Sequence, residues 1–494
     1  MRTIFKSSYK NIFILSLFTY LVTAYFSIGY YHPDEHFQIL EFSNYMLGKS
    51  PASDMPWEFH AKIRPALQPA LACVFIKAFN FIGINNPFTY ALIFRILSAL
   101  LSWFVVCKFC LLVIKDFSSD IGKKIFLFLS FFLWFIPFIS VRFSSENYSS
   151  ITFLGALYLI IRYFDNISYK KIFPLAIAGL LLGFSFFFRF QIAFAIIGLG
   201  LWLLLIKKTH WKKILILVVS GIFAIAFCIM LDSWFYGQFE LTPYNYYIAN
   251  IVEHKAADIW GTSPWWYYFY FFIIQVIIPI SIILLVFFFI GLYKKPTHVF
   301  LWCIIPFLIA HFLVGHKEMR FLFPMVFCFI YLTAIGIDNF IVSGKYKKLG
   351  RFLFILCLII NVPILIIRMI IPAQEIMSYY KFLYNYSEGK EITLLCSEKN
   401  LYVSWVLNYK YYKPPTLKCV ILKKDEGISD YLNENKPDSV FSLDTKFPEY
   451  EEFKNYTSES IYCLFPKWLL ACNINNWESR SNIWDIRKLK KIKQ

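Results

Sequence analysis

Apolar residues run along this chain in blocks too long for the strands or helices of a water-soluble core. Residues 12–28, 125–141, 214–231, 268–292 and 352–371 are almost continuously apolar, and each approaches the ~20 residues that a helix needs to cross a bilayer. Short basic loops separate such blocks, at 115–124, 170–171, 207–213, 294–295 and 345–351. Lys and Arg gather on the cytosolic side of membrane proteins, so these loops should share one side. They do so only if residues 67–84 lie along the interface instead of crossing. The N-terminus, with Arg2, Lys6 and Lys10, then falls inside, about eleven helices span, and the chain beyond 372 emerges outside. The start is similar to a signal peptide, but no small-residue cleavage site precedes Tyr30 and Tyr31, which predicts a retained first helix. The pattern predicts an all-α polytopic membrane protein.

Composition strengthens that reading. With 59% hydrophobic and only 16% charged residues, the chain is not an ordinary soluble enzyme. A formal charge of +18, from 49 basic and 31 acidic residues, could suggest a polyanion. Its placement in short loops instead sets orientation, and no nucleic-acid partner is implied. From 373 to 494 the charges nearly balance. Short apolar runs at 391–396 and 439–443, with weak patterning over 403–412, predict a small mixed α/β outer domain. Cys396, Cys419, Cys463 and Cys472 lie there, where an oxidising compartment would permit disulfides. The other seven cysteines sit in or beside apolar segments as packing residues.

Under this topology most carboxylates of residues 1–372 face outward, among them Asp34, Glu35, Glu41, Asp54, Glu58, Glu146, Asp232, Glu240 and Glu318. The sharpest motif is Tyr31-His32-Pro33-Asp34-Glu35-His36-Phe37-Gln38, directly after the first block. Pro33 suits the first position of a helix, and Asp34 and Glu35 its first turn. Carboxylates pinned at the mouth of a helical bundle are where a general base is wanted. A capped, solvated helix start is the plainer reading of the motif alone. His32-x-x-Glu35-His36 also fits the inverted zinc-protease pattern, although no third ligand stands out. His-Pro-Asp occurs in chaperone J-domains too, but their flanking soluble helices are absent.

Gly315-His316-Lys317-Glu318-Met319-Arg320-Phe321 places dense charge between two apolar blocks. Charge beside a membrane is costly unless solvated or used, and these donors suit a lipid-linked phosphate. Arg142 and Arg189 mark two further outer boundaries, followed by Glu146 and Gln191. Arg189 interrupts an apolar stretch, while snorkelling explains such arginines otherwise. The segment 232–268 is rich in aromatics and amides, including Trp234, Tyr236, Asn245 and Tyr246, which suit either an interfacial belt or sugar rings.

Taken in order, these blocks resemble glycosyltransferase family 22, the lipid-phosphate-mannose-dependent α-mannosyltransferases of the GPI-anchor and N-glycan pathways. His32-Pro33-Asp34-Glu35 with Phe37-Gln38, Glu41 and Pro56-Trp57-Glu58-Phe59 is similar to its first luminal loop. Asp232-Ser233-Trp234-Phe235-Tyr236-Gly237 with Thr242 and Asn245 resembles a second block. His316-Lys317-Glu318 with Arg320-Phe321 and Pro324 resembles a third. The family often has Arg-Ser before its interfacial helix, where this chain has Arg64-Pro65-Ala66, and the region from 373 matches nothing placed.

The resemblance implies a GT-C fold with a catalytic first outer loop over 31–86. It implies an inverting hexosyltransferase that takes mannose from a polyprenyl or dolichyl phosphate, adds it to a glycan or glycolipid, and needs no metal or other cofactor. Asp34 would be the base and Glu35 its support. His316, Lys317, Arg320 and Arg189 would bind phosphate, and His32, Gln38, Glu41, Arg64, Tyr236 and Asn245 the substrates. The active face would be the bacterial periplasm or the ER lumen. Outer-side glycosylation sequons at Asn147, Asn385 and Asn455 do not choose between them. A lipid or sugar transporter would also have many spans, but with its polar residues nearer the midplane.

Overall fold

The computed structural model describes residues 8–165, 172–345, 347–396, 401–404, 407–421, 428–435, 439–444, 456–465, 472 and 484–492. Arg2, Lys6, the basic pair at 170–171 and Asn455 lie outside these residues. Helices dominate the first 372 positions. Among the described residues four are long and apolar enough to cross a membrane: Pro87–Asp116, Trp211–Tyr236, Met319–Ser343 and Lys348–Ile370. Six more apolar helices are shorter: Lys10–Phe26, Leu67–Phe81, Phe173–Phe188, Phe190–Ile206, Ile280–Lys294 and Val299–Leu313.

Two apolar blocks that read as single spans are broken. Residues 125–141 divide into helices Asp120–Phe132 and Ile136–Ser140. Asn361 fills the break: its side chain accepts from the Trp134 amide at 2.9 Å and donates to the Phe132 carbonyl at 2.7 Å. Backbone groups freed inside an apolar bundle need such partners. Residues 268–292 divide into Tyr267–Gln275 and Ile280–Lys294, with Ile277 at φ +68° between them. Pro279 has no N–H to continue the first helix, and the Ser281 hydroxyl donates to the Ile273 carbonyl across the break at 3.0 Å.

Elsewhere the bundle packs through small residues. A Cβ on Gly291 would collide with the Leu332 carbonyl, and one on Gly336 with the Phe287 carbonyl. Those two glycines therefore let Ile280–Lys294 and Val326–Ser343 touch backbone to backbone, a common device for helices in lipid.

Beyond residue 373 the chain forms helix Ile376–Tyr386 and strands β1 (Ile392–Cys396), β2 (Val403–Ser404), β3 (Leu407–Asn408), β4 (Leu417–Ile421), β5 (Ser439–Asp444), β6 (Tyr456–Cys463) and β7 (Asp485–Lys491). Five strands make one sheet in the order β4-β1-β5-β7-β6, with β1 parallel to β4 and β5, and β7 antiparallel to β5 and β6. Cys396 and Cys419 are free thiols on β1 and β4. Their register pairs Cys419 with Leu394 rather than Cys396, so no bridge joins these two.

This sheet region shares its core with the first loop. Tyr30 and Phe37 pack with Tyr380, Tyr402, Tyr409 and Tyr412, and the Tyr30 and Tyr409 hydroxyls lie 2.7 Å apart. The Ala373 amide donates to the Ile28 carbonyl at 2.8 Å. Buried aromatics with partnered hydroxyls give this junction both apolar area and direction. The region is thereby fastened to the segment that carries the His-Pro-Asp-Glu motif.

Candidate active site

The motif folds as its residue types dictate. His32 caps a short helix, its Nδ1 accepting from the Asp34 amide at 3.2 Å, and Pro33 takes the first helical position. Residues one apart on a helix do not share a face. Asp34 and Glu35 accordingly turn to different sides.

Asp34 faces cations. Its Oδ2 lies 2.7 Å from the Arg320 guanidinium and 3.5 Å from that of Arg64. Burial raises the Asp34 carboxyl, but Arg320, His32 and Arg64 outweigh it and hold it well below the usual carboxylate range. Arg320 is a hub. It also bonds Glu318 through Nε at 2.5 Å and reaches Glu146 at 3.2 Å. Arg189 joins from the break after helix Phe173–Phe188, donating to Glu146 at 2.6 Å. His32 lies 3.2 Å from Glu318, whose other oxygen is 3.0 Å from His316. Four helix ends and one loop thus meet in a single network of arginines and carboxylates, with Arg320, Arg189 and Glu146 buried and Asp34, Arg64 and Glu318 partly so.

A cleft opens beside it, lined by Gln38, Arg64, Gln68, Arg189, Gln191 and Tyr246 among others. Gln38 donates to Glu58 at 3.4 Å, and Arg64 lies 3.7 Å from the same carboxylate. Burial raises the Glu58 carboxyl, opposed by Arg64 and reinforced by Asp34.

Glu35 faces a second, separate cavity lined by Tyr30, His36, Arg95, Arg142 and Tyr412. Its carboxylate accepts from the Tyr31 amide at 3.2 Å. Burial pushes Glu35 up to about 7, with Arg142 opposing and Glu146 adding. Glu35, expected as the support of Asp34, thus lines a different cavity from the one beside Asp34's arginines. The raised value has a measurable consequence. Between the ordinary value of 4.5 and about 7, the folded state binds more protons at Glu35 than the unfolded state. Stability therefore falls as pH rises through that window. Thermal unfolding of Glu35→Gln should lack this component of the fall, so the variant gains on the wild type between about pH 4.5 and 7 and the difference levels off above that.

Three residues expected at the substrate make hydrogen bonds within the chain. Glu41 is buried, and its Oε1 accepts from the Lys410 and Tyr411 amides at 2.8 and 2.9 Å and lies 2.9 Å from His36 Nε2. It ties the motif to the C-terminal region. The Tyr236 hydroxyl donates to the Arg64 carbonyl at 2.8 Å, and Asn245 donates to the Lys62 carbonyl at 3.2 Å and to Glu240 at 2.8 Å. Both fix the loop that presents Arg64. Asp232 completes that support by accepting from the Ala66 amide at 2.7 Å.

Of the four expected phosphate ligands, Arg320 and Arg189 join the network directly and His316 joins through Glu318. Lys317 is buried with its ammonium on the Val314 carbonyl of its own turn. His32, Gln38 and Arg64 are in or beside the network. The inverted zinc-protease pattern does not assemble: His32 turns to Asp34 and Glu318, and His36 to Glu41. Among the described residues no three His, Cys, Asp or Glu side chains are grouped to hold a metal. Asn147 is buried, its amide donating to the Ser140 and Arg142 carbonyls at 2.9 Å. That sequon is closed to modification in the folded chain. Sequence reasoning missed Gln68, a polar residue in an otherwise apolar helix start, and that isolation was the available signal.

The model of the Alg9-like mannosyltransferase family matches residues 11–416, reaching past the last sequence block into the C-terminal region. The chain is 25% identical over 342 residues to mannosyltransferase APTG1 of Arabidopsis thaliana, a match covering 68% of this chain and 60% of that one. It is 27% identical over 161 residues to a probable Dol-P-Man:Man(7)GlcNAc(2)-PP-Dol alpha-1,6-mannosyltransferase of Schizosaccharomyces pombe, covering 32% and 29%. It is 23% identical over 311 residues to GPI alpha-1,2-mannosyltransferase 3 of Bos taurus, covering 60% and 54%. The chain spans less than two thirds of the length of each of these relatives. Its fold is similar to the crystal structure of ArnT from Cupriavidus metallidurans bound to undecaprenyl phosphate, with a TM-score of 0.55, 10% identity and 98% of both chains covered. At that identity the likeness is one of fold, and it is the GT-C architecture that the sequence blocks implied.

Proposed function

Because this chain belongs to the Alg9-like mannosyltransferase family, we propose that it is an integral-membrane, inverting hexosyltransferase. It moves mannose or a related hexose from a polyprenyl or dolichyl phosphate to a hydroxyl of a glycan or glycolipid, forming an α-linkage. The observation that carries this reading is the Asp34 carboxylate held between Arg320 and Arg64, with Arg189 alongside. The S. pombe relative's name includes a dolichyl-phosphate-mannose donor, and the ArnT structure holds undecaprenyl phosphate. Both support the donor class.

The site lies on the outer face, with the N-terminus and the basic loops inside and about eleven spans. Helix Leu67–Phe81 lies along the interface, and residues 373–494 form the outer domain against the first loop. That face is the periplasm of a bacterial inner membrane or the lumen of the ER.

The chemistry follows from charge. An acceptor oxygen attacks C1 of the hexose, the bond from C1 to the phosphate oxygen breaks, and the electron pair leaves with polyprenyl phosphate as a dianion. Arg320, Arg189 and Arg64 are donors suited to that dianion. Asp34 takes the proton of the acceptor hydroxyl. While Asp34 is paired with Arg320 it is a weak base. A phosphate that draws on Arg320 loosens that pair and makes the carboxylate more basic when substrate is in place. Glu35, on the other side of the loop, shapes the fold of the motif.

Washed membranes carrying the protein test the donor class. Given labelled polyprenyl-phosphate-mannose or labelled GDP-mannose, they should transfer from the first and not from the second. Transfer from the nucleotide sugar alone, in membranes unable to make the lipid donor, would overturn the reading.

A further inference from the structure

We propose that the side-chain amide of Gln68 reads a hydroxyl of the transferred hexose. This rests on the hexosyltransferase reading above and adds to it the residue that discriminates between sugars. Gln68 sits in the first turn of helix Leu67–Phe81 and is 4% exposed. It lines the cleft beside Arg64 and Arg189. Neither its Nε2 nor its Oε1 has a hydrogen-bond partner.

Buried amides without partners are costly, and a ligand that supplies the partners accounts for keeping one in a cleft wall. The other two amides of that wall are already engaged through their N–H groups, Gln38 with Glu58 at 3.4 Å and Gln191 with the Tyr246 hydroxyl at 2.6 Å. Gln68 offers one acceptor and two donor hydrogens. A sugar hydroxyl both gives and accepts a hydrogen bond and can use both ends of the amide. A phosphate oxygen only accepts, and the guanidinium groups nearby serve it better. The cleft thus divides its labour: arginines for the phosphate, the amide for the ring. Arg64 connects the two, lining the cleft and standing 3.5 Å from Asp34. A hydroxyl held by Gln68 therefore fixes the ring beside the carboxylate that takes the acceptor's proton.

The test compares wild type, Gln68→Leu and Gln68→Glu on polyprenyl-phosphate-mannose and its monodeoxy analogues. Wild type should lose ~10–100-fold in kcat/KM on one analogue, the one lacking the hydroxyl that is read. Gln68→Leu should lose about as much on the parent donor and little further on that same analogue, the coupling expected of a direct contact. Gln68→Glu, which keeps an acceptor, should lie between. Without donor, Gln68→Leu should unfold at or above the wild-type temperature, since leucine needs no partner. Equal losses on every donor, no loss, or earlier unfolding of Gln68→Leu would overturn the inference alone. A wild type inactive with every polyprenyl-phosphate hexose would overturn the function, and the inference with it.

Discussion

Asp34→Asn should lower hexosyl transfer by ~10²–10⁴-fold at unchanged protein level, the range expected when a positioned proton acceptor is removed. Asparagine keeps the shape and can still accept from the Asp34 position's neighbours, but it takes no proton. The network survives the change, because Arg320 retains Glu318 and Glu146. The loss should fall on kcat more than on KM, since the proton moves only in the reacting complex. Glu35→Gln is the control. Its carboxyl faces the other cavity, so transfer should stay within about tenfold of wild type, well short of a lost base. An Asp34→Asn protein within tenfold of wild type would remove Asp34 from the role. A Glu35→Gln protein with the larger loss would move the role to its neighbour.

Arg320→Met should cost ~3–5 kcal/mol of stability, the size expected when one partner of a buried ionic network is deleted. Arg320 is 5% exposed and contacts Asp34, Glu146 and Glu318. Without it, three carboxylates remain close together in a buried site with only Arg64, Arg189 and the histidines to balance them. Arg320→Lys keeps the charge but cannot fork to three carboxylates, and should recover only part of the loss. Thermal unfolding of the detergent-solubilised protein measures both variants. An Arg320→Met protein as stable as wild type would show that the network contributes no cohesion to the fold.

Much of this architecture was legible from the apolar blocks, and the reasons for the misses are physical. Residues 268–292 carry no charge and only Gln275 and Ser281 as polar interruptions, so the break at 276–279 left Gln275 and Pro279 as its faint local traces. The break near Trp134 is marked locally only by Pro137, and the Asn361 side chain that satisfies it comes from more than two hundred residues away. At the site, residue types foretold arginines and carboxylates but not their partners. Arg64 and Arg320 meet around Asp34 because Tyr236, Asn245 and Asp232 hold the 62–66 loop in place. The partners of those three are mostly backbone groups, which a sequence does not display. The main partners of Glu41, two amides of the C-terminal region, were hidden in the same way. Glu35 beside Asp34 in sequence suggested a pair, whereas helical geometry sends adjacent side chains apart.

The most direct test of the account follows both halves of the donor at once. Purified protein in lipid vesicles would receive polyprenyl-phosphate-mannose labelled differently in the sugar and in the phosphate, together with a glycan extract as acceptor. Sugar label should enter the glycan in step with the appearance of phosphate label as free polyprenyl phosphate, and the new linkage should be released by an α-mannosidase. Phosphate label travelling into the product with the sugar, or a product resistant to the α-specific enzyme and cut by a β-specific one, would contradict it.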